Sequence, residues 1–245
     1  MIFLKISRVF NIGATLLFLL FVSVLFLFET GYDVPAISDA EVTQTVIIDA
    51  GHGGEDGGAS DASGALEKQI NLQISQKLEH ILNLCGINTE MTRREDVSLS
   101  SGEKSTVRGR KAEDIKLRVK KISDTPNATL ISIHQNFFPE KKYKGAQVFF
   151  TDNNAYNNDF AKSVQQYLKY GIDEQNNRSE KHSDKSIFLL RNVNCPAILV
   201  ECGFLSNDEE ALLLKKDTHQ TKIATSIAAG FLAYQKKSDV TDYEN

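Results

Sequence analysis

Three short runs of β-branched and aliphatic residues, each ending abruptly in a polar side chain, most constrain what this 245-residue chain can fold into. Thr45-Val46-Ile47-Ile48 runs into Asp49, the run at 128–133 into His134, and the run at 197–200 into Glu201. Apolar runs without polar alternation belong to strands buried on both faces, which occur in parallel sheets covered by helices. The segments between them carry helical spacing. Over 65–84 the positions Leu66, Ile70, Ile74, Leu78 and Ile81, continued by Cys85, form one apolar stripe, and Gly86 stops it. Further helices are predicted near 111–122, 156–170, 208–214 and 218–235, and further strands at 87–92, 146–151 and 187–190. The alternation predicts an α/β fold, three-layered, with a mostly parallel twisted sheet of about six strands flanked by helices.

Residues 1–28 stand apart. The stretch 9–28 carries no charge, and about twenty helical residues rise roughly 30 Å, the thickness of a hydrocarbon core. Lys5 and Arg8 precede it and Glu29 and Asp33 follow, so positive-inside orientation puts the remainder of the chain outside the cytoplasm. We read it as an anchor in cytoplasmic-membrane lipid. A cleaved signal peptide, with Val34-Pro35-Ala36 as cleavage site, is the alternative; a buried core helix is the blander reading, rare at this length without a charge. Residues 29–43 read as a linker, 44–236 as one domain and 237–245 as a polar tail. With 28 Lys and Arg against 32 Asp and Glu, the net charge of −4 lacks the basic excess of a nucleic-acid binder, and no nucleic-acid partner is expected. Cys85, Cys195 and Cys202 show no paired spacing and read as buried thiols.

In open α/β sheets, sites gather at the carboxyl ends of the strands. The first strand exits into Asp49-Ala50-Gly51-His52-Gly53-Gly54, the third into His134-Gln135-Asn136, and the 197–200 strand into Glu201-Cys202-Gly203. Glu67, in the first turn of the helix after the first strand, begins at the same edge. Each has a bland reading: His52 as a loop histidine, His134 as a satisfied core histidine, Glu67 as an acid favoured by the helix dipole. Glu201 is harder to dismiss, because an unpaired buried carboxylate is costly. Their convergence points to a metal or acid/base site. Catalytic zinc takes three His or carboxylate ligands and keeps a fourth position open, and a remaining carboxylate can carry a proton from water to a leaving amine. His80, His182 and His219 are expected to be solvated. Arg108, Arg110, Lys111, Lys116, Arg118, Lys120 and Lys121 are expected on a solvated helix face, with contact to an anionic glycan as the sharper reading. Phe137-Phe138 is an exposed pair suited to contact, or a pair folded back on the domain.

The motif Val46-Ile47-Ile48-Asp49-Ala50-Gly51-His52-Gly53-Gly54, followed by Glu67 opening a helix, resembles the zinc-dependent N-acetylmuramoyl-L-alanine amidases of the amidase-3 family. So do Ser132-Ile133-His134 and Pro196-Ala197-Ile198-Leu199-Val200-Glu201-Cys202-Gly203-Phe204-Leu205-Ser206-Asn207. The resemblance covers nearly all of 44–236. It implies His52, Glu67 and His134 as Zn2+ ligands, Glu201 as the catalytic acid/base, and hydrolysis of the amide between the lactyl group of N-acetylmuramic acid and L-alanine. The implied partners are peptidoglycan glycan strands with stem peptides, and a protein activator. A small, anchored, single-domain chain is similar to sporulation members of the family, which help make muramic-lactam in spore cortex; that places it outside the cytoplasmic membrane, tethered or secreted, around the developing spore. Gln135 departs from the small residue that relatives often carry after the second histidine. An inactive amidase-like wall-binding module and a zinc carboxypeptidase acting on another wall bond are the competing readings.

Overall fold

The computed structural model describes residues 44–183 and 187–243, with side chains of the last helix to Lys237; the N-terminal apolar run and the linker lie outside the described residues. Among the described residues no helix is long and apolar enough to cross a membrane. Six strands form one sheet: β1 (Thr45–Ala50), β2 (Asn88–Met91), β3 (Ala128–Asn136), β4 (Gln147–Phe150), β5 (Lys181–His182) and β6 (Ala197–Phe204), in the order β2-β1-β3-β6-β4-β5. β1 lies parallel to β2 and β3, and β3 to β6; β4 runs antiparallel to β6 and parallel to β5. The helices are α1 (Glu67–Leu84), α2 (Val107–Asp124), α3 (Asn157–Ile172), α4 (Phe188–Arg191), α5 (Asp208–Leu214) and α6 (Asp217–Tyr243). The expected three-layer, mostly parallel architecture is the one observed.

Successive strand residues point to opposite faces, and both faces are dry. Val46, Ile48, Ile131, Ile133, Ile198 and Val200 belong to the core built with Ile74 and Leu78 of α1, Phe160 and Val164 of α3, and Ile223, Ile227 and Phe231 of α6. Ile47, Leu130 and Leu199 join Ile122 of α2 and Leu189 and Leu190 of α4 on the other face. Each such side chain contributes about 1.5–3 kcal/mol by leaving water, and the polar residues inside the runs, Thr129 and Ser132, are hydrogen-bonded, Thr129 accepting from Gln44 and Ser132 donating to Asp49.

Several boundaries differ from expectation. The segment 187–190 is not a strand: Phe188–Arg191 forms α4, burying Leu189 and Leu190. A short apolar run satisfies one helical turn as well as a buried strand. The sixth strand is instead β5, Lys181–His182, in what read as polar loop. β3 and β6 continue to Asn136 and Phe204, so His134 and Glu201 stand within paired strands rather than just beyond them. α2 starts at Val107, where the Thr106 hydroxyl accepts from Gly109 N at 3.1 Å. α6 continues to Tyr243, through most of the segment read as tail. Cys85, expected buried, is exposed, Cys195 is half-buried and Cys202 buried.

α3 and α6 approach closely at Gly230, where an added Cβ would lie 2.7 Å from Val164 Cα; Ser163 Oγ also donates to the Gly230 carbonyl at 2.7 Å. Alanine is favoured over glycine in a helix by about 1 kcal/mol. A clash with backbone cannot be relieved by a rotamer change, and overpacking costs about 1–3 kcal/mol. Gly230→Ala is therefore expected to lower stability by about 1–2 kcal/mol in urea unfolding. A raised midpoint would show that the helices separate at no cost.

Candidate metal centre

β1, β3 and β6 end at one edge of the sheet, and the chain leaves β1 into a glycine-rich loop that carries His52. His134 on β3 and Glu201 on β6 are register partners across the parallel ladder. Glu67 is the first residue of α1. The fold therefore brings all four expected residues to one rim. His52 Nε2 stands 3.2 Å from Glu67 Oε2, and His134 Nδ1 stands 2.9 Å from Glu67 Oε1. The two imidazoles meet edge to face with centroids 5.0 Å apart, and one ligand atom from each of His52, Glu67 and His134 lies within 4.8 Å of the others. Glu201 adds a carboxylate whose Oε2 is buried without a hydrogen-bond partner.

Glu67 and His52 are held from behind. Glu67 accepts from Ala59 N at 2.9 Å, Gln135 N at 3.1 Å and Asn71 Nδ2 at 3.3 Å. His52 Nδ1 pairs with Asp56 Oδ2 at 2.9 Å, and Lys111 Nζ reaches Asp56 Oδ1 at 2.6 Å. His52 adopts φ 62°, the left-handed region, which costs a non-glycine residue of order 1–3 kcal/mol. Two guanidinium groups offset that strain: Arg93 Nε and Arg118 Nη2 each donate to the His52 carbonyl at 2.7 Å. A Cβ on Gly51 would stand 2.3 Å from Cε1 and Nε2 of His134, so only glycine leaves room for that ring.

The electrostatics fit a cation at the centre of the cluster. Burial alone would raise the Glu67 pKa, yet hydrogen bonds from His134 and His52 outweigh it and hold the carboxyl well below its ordinary range. Burial would lower His52, but its bonds to Asp56 and Glu67 push it up to about 9. A buried carboxylate that draws two imidazoles onto itself is stabilised by positive charge beside it. Two nitrogen donors and an oxygen donor are a set that suits a divalent metal with one position left open. Glu201 differs: burial, assisted by Glu67 and opposed by His134 and His52, pushes it up to about 7.

Sequence reasoning missed the supports. Arg118 was expected on a solvated face; it is fully buried, donating through Nη1 to Asp49 Oδ1 at 2.6 Å and through Nε to Asp114 Oδ2 at 2.7 Å. Its burial follows from α2 packing on the sheet face that carries Asp49. Arg93, also buried, follows β2 at the same carboxyl edge and donates to the carbonyls of Ala50, Gly51 and Lys68 as well. Gln135 turns away from the rim: its side chain donates to Asn71 Oδ1 at 3.1 Å, and Asn71 in turn donates to the Gly51 carbonyl. His80 and His182 are exposed as expected, His182 standing 2.9 Å from Asp152. His219 is half-buried, and burial with nearby Lys222 and Lys216 lowers its pKa.

Comparison with known proteins agrees with this geometry. Residues 46–233 match the family described as N-acetylmuramoyl-L-alanine amidase. The germination-specific N-acetylmuramoyl-L-alanine amidase of Bacillus subtilis (strain 168) is 38% identical over 189 residues, 77% of this chain and 78% of that protein. The CwlD amidase from Clostridioides difficile, solved in complex with the GerS lipoprotein, superposes with a TM-score of 0.77 at 40% identity, covering 79% of this chain and 99% of that one. The catalytic domain of CwlV, an N-acetylmuramoyl-L-alanine amidase from Bacillus (Paenibacillus) polymyxa var. colistinus, superposes with a TM-score of 0.66 at 26% identity, covering 79% and 99%.

Proposed function

The chain belongs to the N-acetylmuramoyl-L-alanine amidase family, and on that premise we propose a zinc-dependent hydrolase in which His52, Glu67 and His134 hold the ion and Glu201 moves the proton. Peptidoglycan is the substrate, and the bond cleaved joins the lactyl group of muramic acid to L-alanine. The observation that carries the role of Glu201 is its buried, unpartnered Oε2 beside a cluster of three ligand groups; a carboxyl left so costs free energy, and a catalytic role accounts for its being kept. Zinc bound there would supply Lewis-acid polarisation of the scissile carbonyl and make water a stronger acid.

Glu201 accepts a proton from the attacking water and returns it to the departing amine nitrogen, a transfer open to a carboxylate that makes no hydrogen bond through Oε2. Asp56 fixes the ring of His52 through Nδ1, leaving Nε2 toward Glu67. Asn71 and the backbone of Ala59 and Gln135 orient Glu67.

The germination-specific relative supports a role in the muramic-lactam formation of spore cortex. The uncharged stretch 9–28 supports tethering on the outer side of the cytoplasmic membrane. A neighbour solved with a lipoprotein supports a protein activator. The test is mass spectrometry of peptidoglycan digested by the zinc-loaded full chain. New free lactyl carboxyls and L-alanine amino termini are expected, lost on chelation and restored by zinc. Cleavage within the stem peptide would replace this reading with a carboxypeptidase, and binding without any product would make the chain a wall-binding module.

A further inference from the structure

A second feature adjoins the rim. His134, Glu201 and Gln147 stand in one row across β3, β6 and β4, since His134 pairs with Glu201 and Glu201 with Gln147. Beyond Gln147 opens a groove of about 360 Å³ lined by Phe138, Phe149, Phe204, Gln147, Arg178 and Lys181. Its size suits a short peptide segment. Its walls are aromatic and its polar end is cationic. Arg178 lies 4.7 Å over the Phe204 ring and Lys181 5.8 Å over that of Phe149.

Arg178 makes its hydrogen bonds to neutral acceptors and feels the Glu210 carboxylate only through space. Its Nε donates to the Lys144 carbonyl at 2.9 Å and its Nη1 to Gln147 Oε1 at 2.8 Å. The nearby carboxylate of Glu210 is occupied by the backbone amides of Gly145 and Phe204, at 2.9 and 2.8 Å. Among the described residues no carboxylate forms an ion pair with Arg178 or Lys181. Cross-strand partners stand about 5 Å apart, and the guanidinium lies one hydrogen bond beyond the end of Gln147. Arg178 is thus set off from Glu201 by one cross-strand spacing, the Gln147 side chain and one hydrogen bond, a separation that a short extended peptide segment spans.

In the amide that this enzyme hydrolyses, the muramic carboxyl is consumed in the scissile bond and the sugar hydroxyls and acetamides are neutral. The carboxylates all lie on the peptide side. We propose that the groove is the subsite for the stem peptide on the leaving-amine side, and that Arg178 selects peptides whose residue after alanine carries a free carboxylate. This rests on the amidase reading above. Guanidinium and carboxylate match as a forked pair, which a neutral carboxamide cannot reproduce.

The experiment compares N-acetylmuramoyl-L-alanyl-D-glutamate substrates, the side-chain carboxyl capped as a methylamide in both and the α-carboxyl either free or a carboxamide, on the zinc-loaded full chain and on Arg178→Gln and Arg178→Lys. The wild type is expected to favour the carboxylate by about 10-fold in kcat/KM, through KM. Arg178→Gln should abolish that ratio by raising KM for the carboxylate alone, and Arg178→Lys should keep part of it. General structural damage would slow both substrates and leave the ratio intact, so an unchanged ratio in Arg178→Gln, or none in the wild type, overturns the inference. Calorimetric binding of the same compounds separates the two readings. If neither is cleaved the amidase reading fails, while tighter binding of the carboxylate by the wild type than by Arg178→Gln still supports the subsite, and equal binding still overturns it.

Discussion

Glu201→Gln should reduce peptidoglycan hydrolysis by about 10²–10⁴-fold, the span a positioned proton-transfer group supplies, equivalent to roughly 3–5 kcal/mol of transition-state stabilisation. Glutamine keeps the volume and shape of the side chain but cannot accept or deliver a proton. The three ligand groups belong to other residues, so zinc content, measured by metal analysis of the purified variant, should match the wild type. The isolated pairing of a lost rate with retained metal identifies the role; a Glu67→Gln variant should instead lose metal. Burial pushes the Glu201 carboxyl up to about 7, and zinc bound beside it would draw that value down toward the ionised form that a base requires. Wild-type turnover by Glu201→Gln would remove Glu201 from the mechanism.

The four rim residues were legible for a local reason. A polar residue at the end of an uninterrupted apolar strand has no place in a core, so Asp49, His134 and Glu201 announce the carboxyl edge, and the glycines around His52 announce a tight loop there. Glu67 became legible only through its position at the start of the following helix. The supports were hidden because they depend on docking. Arg118 lies among Arg110, Lys111, Lys116, Lys120 and Lys121, and local sequence cannot tell which of these turns inward once α2 packs over Asp49. Arg93 was within reach, since it follows β2 at the same edge. β5 was illegible in principle: two exposed polar residues make a strand only because β4 offers its edge. At 187–190 two physical solutions compete for one pattern, and burial of Leu189 and Leu190 against α2's Ile122 favours a helical turn.

Arg118→Met should cost about 3–5 kcal/mol, the penalty for removing one member of a buried ion pair. Asp49 is almost wholly buried, with Arg118 Nη1 and Thr92 Oγ1 on Oδ1 at 2.6 and 2.8 Å and Ser132 Oγ on Oδ2 at 2.6 Å. Burial alone would raise its pKa; the charge of Arg118 and the Ser132 hydroxyl outweigh burial and hold it at about 2, below the ordinary 3.8. A folded-state pKa below the unfolded value means stability that is complete above pH 3.8 and lost as pH falls through about 2; the shift corresponds to about 2 kcal/mol. Without Arg118, burial loses its main opponent, the Ser132 and Thr92 hydroxyls remaining, and the carboxyl takes up its proton at a higher pH. The deficit of Arg118→Met in urea unfolding should therefore be largest at pH 7 and shrink as pH falls through that raised value, because protonation discharges the stranded carboxylate. Asp49→Asn in the Arg118→Met background should recover part of the loss by the same route. A deficit below about 1 kcal/mol at pH 7, or one unchanged down to pH 3, would show that the pair does not anchor this edge. The same guanidinium holds the His52 carbonyl, so zinc affinity should fall with stability, linking the buried pair beneath the sheet's edge to the metal above it.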